Sequence, residues 1–227
     1  MNHIKNKIKA IIFDMDGTVV DSEHVWRKAI IDVVKAEGVE LNQQNLSLIK
    51  NSFSANLREV TEKIKKEFKI KSTVEELMQK KEFLALEYFK HINDLKFIKG
   101  FENFHKILQI NSIPTSIATN SDIGVLTQIS TKMNLERFFG PHIYSADHVN
   151  AKRKPDPSLF LFAAEKLLVR PDECIIFEDS GAGFEAAKSA GIKCIGINNE
   201  AFKKDLKLAD YIINDYDEAI DAIKKII

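Results

Sequence analysis

The chain has 227 residues, 44% of them apolar and 29% charged, with Lys+Arg and Asp+Glu balanced at 33 each. That length suits one main domain with a sizeable insertion, and the even charge excludes a strong field for nucleic acid or an anionic membrane surface. No apolar stretch approaches the ~20 residues of a bilayer span, and Met1 to Lys7 lack a hydrophobic signal region, so a cytoplasmic protein is expected.

In chain order, the first element is the apolar run Ile8 to Phe13, broken only by Lys9, which predicts a buried strand of about six residues. It ends at Asp14 and Asp16, one residue apart and followed by Gly17. A turn opening at Asp14 would let both carboxylates lean over the carboxyl end of that strand. Two close like charges repel unless a cation neutralises them. Such a pair suits one acid as nucleophile or ligand and the other as proton carrier, around a hard divalent ion. It also suits an Asp-rich turn in which Gly17 supplies a positive φ.

Ser22 to Glu37 place Val25, Trp26, Ala29, Ile30, Val33 and Val34 on one helical face, with Gly38 as the stop. A second helix is predicted through Leu57, Val60, Ile64 and Phe68. A third opens on the capping box Thr73-Val-Glu-Glu76 and runs through Leu77, Met78, Leu84 and Tyr88. From about residue 19 to 95 no strand is predicted, so this block reads as an all-helical insertion. From Gly100 helices and strands alternate: a helix with Phe101, Phe104, Ile107 and Leu108; strand Ile113 to Ala118; a helix through Ile123, Leu126 and Ile129; a strand near His142 to Ser145. Asp156-Pro157 then predicts an N-cap followed by proline at the first helical position, opening a helix through Leu168. Strands Glu173 to Phe177 and Lys193 to Ile197 flank a helix from Gly183 to Ala190, and Asp210 to Ile213 predicts an edge strand before the last helix. This alternation implies an α/β fold with a doubly wound parallel sheet. Residues 1–18 and 95–227 would form its core domain and 19–94 a helical cap. Cys174 and Cys194 each sit inside an apolar run and read as small packing residues rather than a disulfide or redox pair.

Ligands of open α/β sheets sit beyond the carboxyl ends of the strands. Past the first strand come Asp14 and Asp16. Past Ala118 come Thr119-Asn120-Ser121, donors at a helix start where an anion is favoured. Lys154 follows in the next crossover, and Glu178-Asp179-Ser180-Gly181 lie past Phe177. Singly, these read as a helix cap, a solvated base and a polar turn. Together they supply carboxylates for a cation, donors for an anion and one fixed positive charge, the needs of phosphoryl transfer. With oxygen ligands and no His/Cys cluster for zinc, the metal expected is Mg²⁺. His24, near the first motif, reads as a surface residue.

With Asp14-Met-Asp16-Gly17-Thr18, Thr119, Lys154 in Lys-Pro-Asp-Pro and Glu178-Asp179-Ser180, the chain resembles the haloacid dehalogenase superfamily of phosphatases and phosphomutases. It is similar to the branch with a helical cap inserted after the first motif, a likeness spanning nearly the whole chain. The resemblance implies that Asp14 is the nucleophile, forming an aspartyl-phosphate, and Asp16 the acid/base. Mg²⁺ would be held by Asp14, the Asp16 carbonyl and Asp179, with Glu178 assisting. Thr119 and Lys154 would hold the phosphoryl oxygens, and Asn120 would join them in binding substrate.

In that superfamily the residue two after the nucleophile separates branches: the transport ATPases have threonine there and the dehalogenases lack the second aspartate. Asp16 therefore implies hydrolysis or phosphate relay. The rival reading is a β-phosphoglucomutase-like sugar phosphomutase, and a weaker one a non-catalytic phosphate-binding module. The mutase branch has histidine where this chain has Trp26 and an arginine in a cap loop that here reads Lys50 to Leu57, with no arginine before Arg58. A mutase must grip two phosphates, so this favours a phosphatase. Its substrate would be a small phosphate ester, with contacts expected from Glu23, Trp26, Ser52, Phe53 and Asn56 of the cap, and the expected state is a monomer.

Overall fold

The computed structural model describes residues 2–52, 57–198 and 206–227. A six-stranded parallel sheet is built from β1 (Ala10–Phe13), β2 (Thr115–Thr119), β3 (Ile143–Ser145), β4 (Cys174–Glu178), β5 (Lys193–Ile197) and β6 (Tyr211–Ile213), in the order β3-β2-β1-β4-β5-β6. The chain is thus the doubly wound α/β fold expected, and the strand order reverses direction at β1, where such sheets open a crevice. Eleven α-helices accompany the strands among the described residues. They are α1 (Asn2–Lys7), α2 (Glu23–Ala36), α3 (Gln43–Ser52), α4 (Leu57–Glu67), α5 (Val74–His91), α6 (Phe101–Ile110), α7 (Ile123–Met133), α8 (Glu136–Phe139), α9 (Ser158–Lys166), α10 (Gly181–Ala190) and α11 (Ala219–Ile226). None is long and apolar enough to cross a membrane.

The period-2 alternation of each strand divides the core. Ile11 and Phe13 join Ile117, Ile175, Phe177, Ile195 and Ile213 on one face, under Phe101, Phe104 and Leu108 of α6, Leu126 and Ile129 of α7 and Ala222 and Ile223 of α11. Ala10, Ile12, Ala118, Ile176 and Cys194 cover the other, under Phe160 and Ala163 of α9 and Phe184 and Ala187 of α10. Both faces being covered, β1 and β4 read as near-continuous apolar runs, while β2, Thr-Ser-Ile-Ala-Thr, is buried although polar at three positions. A third cluster lies off the sheet, where Ile30, Val33 and Val34 of α2 meet Ile49 of α3, Val60 and Ile64 of α4 and Leu77 of α5. Helices α2 and α5 straddle the two regions, because Val25, Ala29, Ala85 and Phe89 pack into the sheet-side core. Cys174 and Cys194 are buried free thiols, and Cys174 Sγ donates to Arg170 O at 3.4 Å. Burial pushes the Cys174 thiol up to about 12 and that of Cys194 well above its ordinary value, so both are inert packing residues.

Several elements differ from the sequence expectation. The first strand is four residues long, because Ile4 and Ile8, both buried, belong to a helical spacing: the Ile8 N–H bonds back to Ile4 O at 2.8 Å at the end of α1. Helix α3 is an addition, and its sequence, Gln-Gln-Asn-Leu-Ser-Leu-Ile-Lys-Asn-Ser, carries too few apolar residues to show a period. The short α8 is likewise new. Helix α9 ends at Lys166 rather than Leu168, whose φ is +58°. The N-cap position is Pro157, one residue later than expected, and Asp156 just before it accepts from Ser158 N at 2.8 Å.

Candidate active site

Parallel register brings the motifs together. Phe13 stands level with Ile117 on β2 and Phe177 on β4, so Asp14, Thr119 and the Glu178–Asp179 pair leave the sheet side by side. The Asp14 N–H extends the ladder to Phe177 O at 2.9 Å. Beneath it, Phe13 stacks on Phe177 with ring centroids 5.3 Å apart, a stiff floor for the turn above. That turn closes on itself: Val19 N and Val20 N both donate to Met15 O at 2.9 Å, and Gly17 takes a φ of +79°. Val20 then forms an isolated antiparallel bridge with Phe97, joining the segments that lead into α2 and out of α5.

At the centre, Lys154 Nζ donates to Asp14 Oδ1 at 2.6 Å and to Glu178 Oε1 at 2.9 Å, all three side chains buried. Burial pushes the Asp14 carboxyl well above the usual carboxylate range; Lys154 opposes this, and Glu178 and Asp16 add to it. Burial alone would lower the Lys154 ammonium, but Asp14 and Glu178 outweigh it and hold it above its ordinary value, so it stays charged. Lys154 is clasped through its backbone: its N–H donates to Asn120 Oδ1 at 2.8 Å, and Asn120 Nδ2 donates to Lys154 O at 3.3 Å. Glu178 Oε2 accepts from Asp179 N at 2.7 Å and Ser180 N at 2.6 Å. Its side chain fills the space over Gly183, where an added Cβ would meet Oε1 at 1.8 Å, so any side chain there must displace the Glu178 carboxyl.

Asp14, Glu178 and Asp179 offer oxygens within 4.8 Å of one another. Two of these carboxylates, Asp14 and Glu178, share the Lys154 ammonium, and Asp179 adds a third. This excess of buried negative charge on hard oxygen donors fits a divalent cation of the Mg²⁺ type. Thr18 Oγ1 donates to Asp179 Oδ1 at 3.4 Å.

Asp16 stands apart from that cluster and accepts from four donors. Ser22 Oγ (2.6 Å) and Trp26 Nε1 (2.8 Å) reach Oδ1 from the helical side, and Ser121 Oγ (2.7 Å) and Thr119 Oγ1 (3.3 Å) reach Oδ2 from the sheet side. Its carboxyl is thus aimed by groups on both sides of the crevice.

Asp14, Asp16, Glu23, Trp26, Thr119, Asn120, Lys154, Glu178 and Asp179 all line one cavity of about 370 Å³. Glu23 pairs with Arg27 four residues on. His24 faces a separate groove along α2. Phe53 and Asn56, and the side chain of Ser52, lie outside the described residues.

The cavity also holds residues that the sequence reading missed. Arg153 ties Glu82 of α5, at 2.8 Å, to Asp122 at the start of α7. Burial and the neighbouring Glu82 raise the Asp122 carboxyl to about 6. Lys81 projects from α5, only 9% exposed, with Nζ 4.1 Å from the centre of the Trp26 ring. A signal existed for it: Leu77, Lys81, Ala85 and Phe89 recur every four residues along the buried stripe of α5, and a lysine in an apolar stripe is out of place. Arg58, set aside in the sequence reading, lines the cavity as well, paired with Glu62 and Glu75.

A family model described as haloacid dehalogenase-like hydrolase matches residues 11–197, the span holding every motif named above. The chain belongs to that family. The resemblance drawn from the motifs is thereby confirmed. Among curated relatives, the fructose-1-phosphate phosphatase YqaB of Escherichia coli is 25% identical over 187 residues, 82% of this chain and 95% of that protein. A phosphorylated carbohydrates phosphatase of Thermotoga maritima is 28% identical over 188 residues, 83% of this chain and 84% of that protein. A solved haloacid dehalogenase-like protein of unknown function from Agrobacterium tumefaciens superposes with a TM-score of 0.78 at 26% identity, covering 96% of this chain and 98% of that one.

Proposed function

We propose that this haloacid dehalogenase-like hydrolase is a Mg²⁺-dependent phosphatase that hydrolyses a small phosphorylated metabolite, a sugar phosphate in class, through an aspartyl-phosphate on Asp14. The observation that carries this is the buried group of Asp14, Glu178 and Asp179 around Lys154, with Asp16 held separately beside it. Two carboxylates in different settings at one strand end are suited to two different roles. The phosphatase relatives support the substrate class.

In this reading an Asp14 oxygen bonds to phosphorus as the ester P–O bond breaks, and the departing oxygen takes a proton from Asp16. Asp16 then takes a proton from water, whose oxygen bonds to phosphorus and releases the Asp14 carboxylate. Lys154 and the Thr119 hydroxyl hold the phosphoryl oxygens, while Asn120 holds Lys154. Asp14, the Asp16 carbonyl and Asp179, with Glu178 assisting, would hold Mg²⁺, which supplies the positive charge that lets a carboxylate approach an anionic ester. Residues 19–94 act as a cap on the core of 1–18 and 95–227, hinging at Thr18–Asp21 and Leu95–Gly100 to shut water out.

The test is a panel of sugar phosphates, phosphoglycolate and nucleoside monophosphates incubated with Mg²⁺ and assayed for phosphate and isomers. Phosphate equal to ester consumed is the expected result. No release from any ester would overturn the reading in favour of a binding module. Because Lys81 and Arg58 place cations on the helical side of the cavity, a phosphomutase is the second reading. A 6-phosphate isomer formed from β-glucose 1-phosphate, dependent on a bisphosphate primer, would establish it instead.

A further inference from the structure

A buried residue near the end of the chain touches both connections to the helical block. Tyr216 lies just before α11, 2% exposed, its ring packed among Phe13, Phe101, Phe104 and Phe177. Its hydroxyl donates to Thr18 O at 3.1 Å and its backbone N–H donates to Lys99 O at 3.0 Å. Thr18 opens the segment into α2, and Lys99 lies in the segment out of α5. Between those two points the segments pair as a short ribbon, Ile98 N donating to Val19 O and Asp21 N to Lys96 O, both at 2.9 Å. On either side of Tyr216, Asp215 and Asp217 pair with the Lys99 ammonium at 2.6 and 3.2 Å, and a Cβ on Gly100 would meet Asp217 Oδ1 at 2.8 Å. A phenylalanine would fill the same aromatic pocket; the phenol adds one donor.

That donor serves the turn that carries Asp16. Gly17 N donates to Val20 O at 2.8 Å and Val20 N to Met15 O at 2.9 Å, so Asp16, Gly17 and Thr18 lie inside one closed loop. Thr18 is fully buried, and a buried carbonyl needs a donor from the protein. Tyr216 supplies it, while the Thr18 hydroxyl reaches Asp179 Oδ1 at 3.4 Å. Burial pushes the phenol well above its ordinary range, with Asp14, Asp179 and Glu178 adding to it, so the ring keeps the proton it donates. We propose that Tyr216 is a positioning residue: through the Thr18 carbonyl it fixes the turn that aims Asp16, and through Lys99 it ties both cap linkers to one point of the core. This inference rests on the phosphatase reading, in which Asp16 protonates the departing oxygen, and adds a residue to it.

Tyr216→Phe keeps the ring contacts and removes only the donor. With Asp16 misaimed, esters whose leaving group needs a proton should lose more than p-nitrophenyl phosphate, whose leaving group needs little. The measure is kcat/KM, which reports formation of the aspartyl-phosphate. It should fall about 10–30-fold for a sugar phosphate and about threefold or less for p-nitrophenyl phosphate. Ile223→Val, a core change on α11 that leaves the phenol in place, controls for lost stability and should leave the ratio of the two esters unchanged. A readout free of turnover comes from Trp26, the one tryptophan, whose indole N–H donates to Asp16 Oδ1 at 2.8 Å. Its single indole ¹H–¹⁵N resonance should shift in Tyr216→Phe and not in Ile223→Val, and amide exchange at Val19, Val20 and Ile98 should quicken in the first variant alone. Equal losses for the two esters, or an unmoved indole resonance, overturn the proposal while the phosphatase reading stands. If the wild type turns over no ester, that reading fails by itself, and the resonance and the exchange decide whether Tyr216 holds the turn. A shift with quicker exchange upholds that role, and no change removes it.

Discussion

At the scale of single residues, the site is a contrast between two acids at one turn. Asp14 is buried against an ammonium and two other carboxylates, whereas Asp16 is reached by four neutral donors. Asp14→Asn should abolish phosphate release while leaving the circular dichroism spectrum unchanged, because the amide keeps the shape and Lys154 retains Glu178. Asp16→Ala should slow turnover of esters with poor leaving groups ~10²–10⁴-fold. A third residue bears on stability. His105, buried among Phe13, Phe101, Phe138 and Phe139, bonds to Thr115 Oγ1 at 2.9 Å, and burial lowers it to about 4. Above pH ~6.5 it is neutral folded or unfolded, so its contribution is fully present there. As pH falls from ~6.5 towards ~4 the unfolded chain takes up the proton first, costing up to roughly 3 kcal/mol. Denaturant midpoints measured between pH 7.5 and pH 4.5 should fall steeply for the wild type and less so for His105→Phe. Parallel slopes would show that His105 is not the group responsible.

At the scale of elements, the question is what holds α5 against the sheet side. Arg153 joins α5 to the start of α7, and Trp26 of α2 reaches Asp16. Arg153→Met should leave Glu82 and Asp122 facing each other without a cation. Amide exchange in α5 should then quicken, and kcat/KM should fall about tenfold as closure weakens. Trp26, the one tryptophan in the chain, gives an independent reading: its emission should change on adding Mg²⁺ with beryllium fluoride, and less so in Arg153→Met. Unchanged exchange in the variant would remove the clamp from the account. Gly183→Ala tests the opposite side, since its methyl would overlap the Glu178 carboxyl. Thermal or denaturant unfolding should show a loss of about 1–3 kcal/mol. The elements themselves were legible unevenly. Capping at Thr73 and the φ of +84° at Gly38 appear where local chemistry predicts them. Helix α3 is too polar to announce itself, and α1 was hidden by reading Ile8 with the strand instead of with Ile4.

At the scale of the molecule, the parallel sheet was legible because buried strands and amphipathic helices alternate, and its register brings four separated motifs to one crevice. The cation content of the cavity was not. Lys81 and Arg153 sit within basic runs, Lys80-Lys81 and Lys152-Arg153-Lys154, that read as solvated charge until the packing of α5 against α7 is known. The reading of the cap loop as lacking an arginine before Arg58 therefore described the sequence between Lys50 and Leu57 and not the cavity. The central claim is that Asp14 carries the phosphoryl group and Asp16 assists its hydrolysis. It is tested most directly in Asp16→Asn, mixed with Mg²⁺ and p-nitrophenyl phosphate, whose leaving group needs little protonation, then quenched in acid for intact-mass and peptide spectrometry. The account predicts an added mass of one phosphoryl group located on Asp14, absent without Mg²⁺ and absent when Asp14→Asn is combined with it. A phosphoryl group on any other residue, or wild-type turnover with no adduct trapped in the variant, would contradict it.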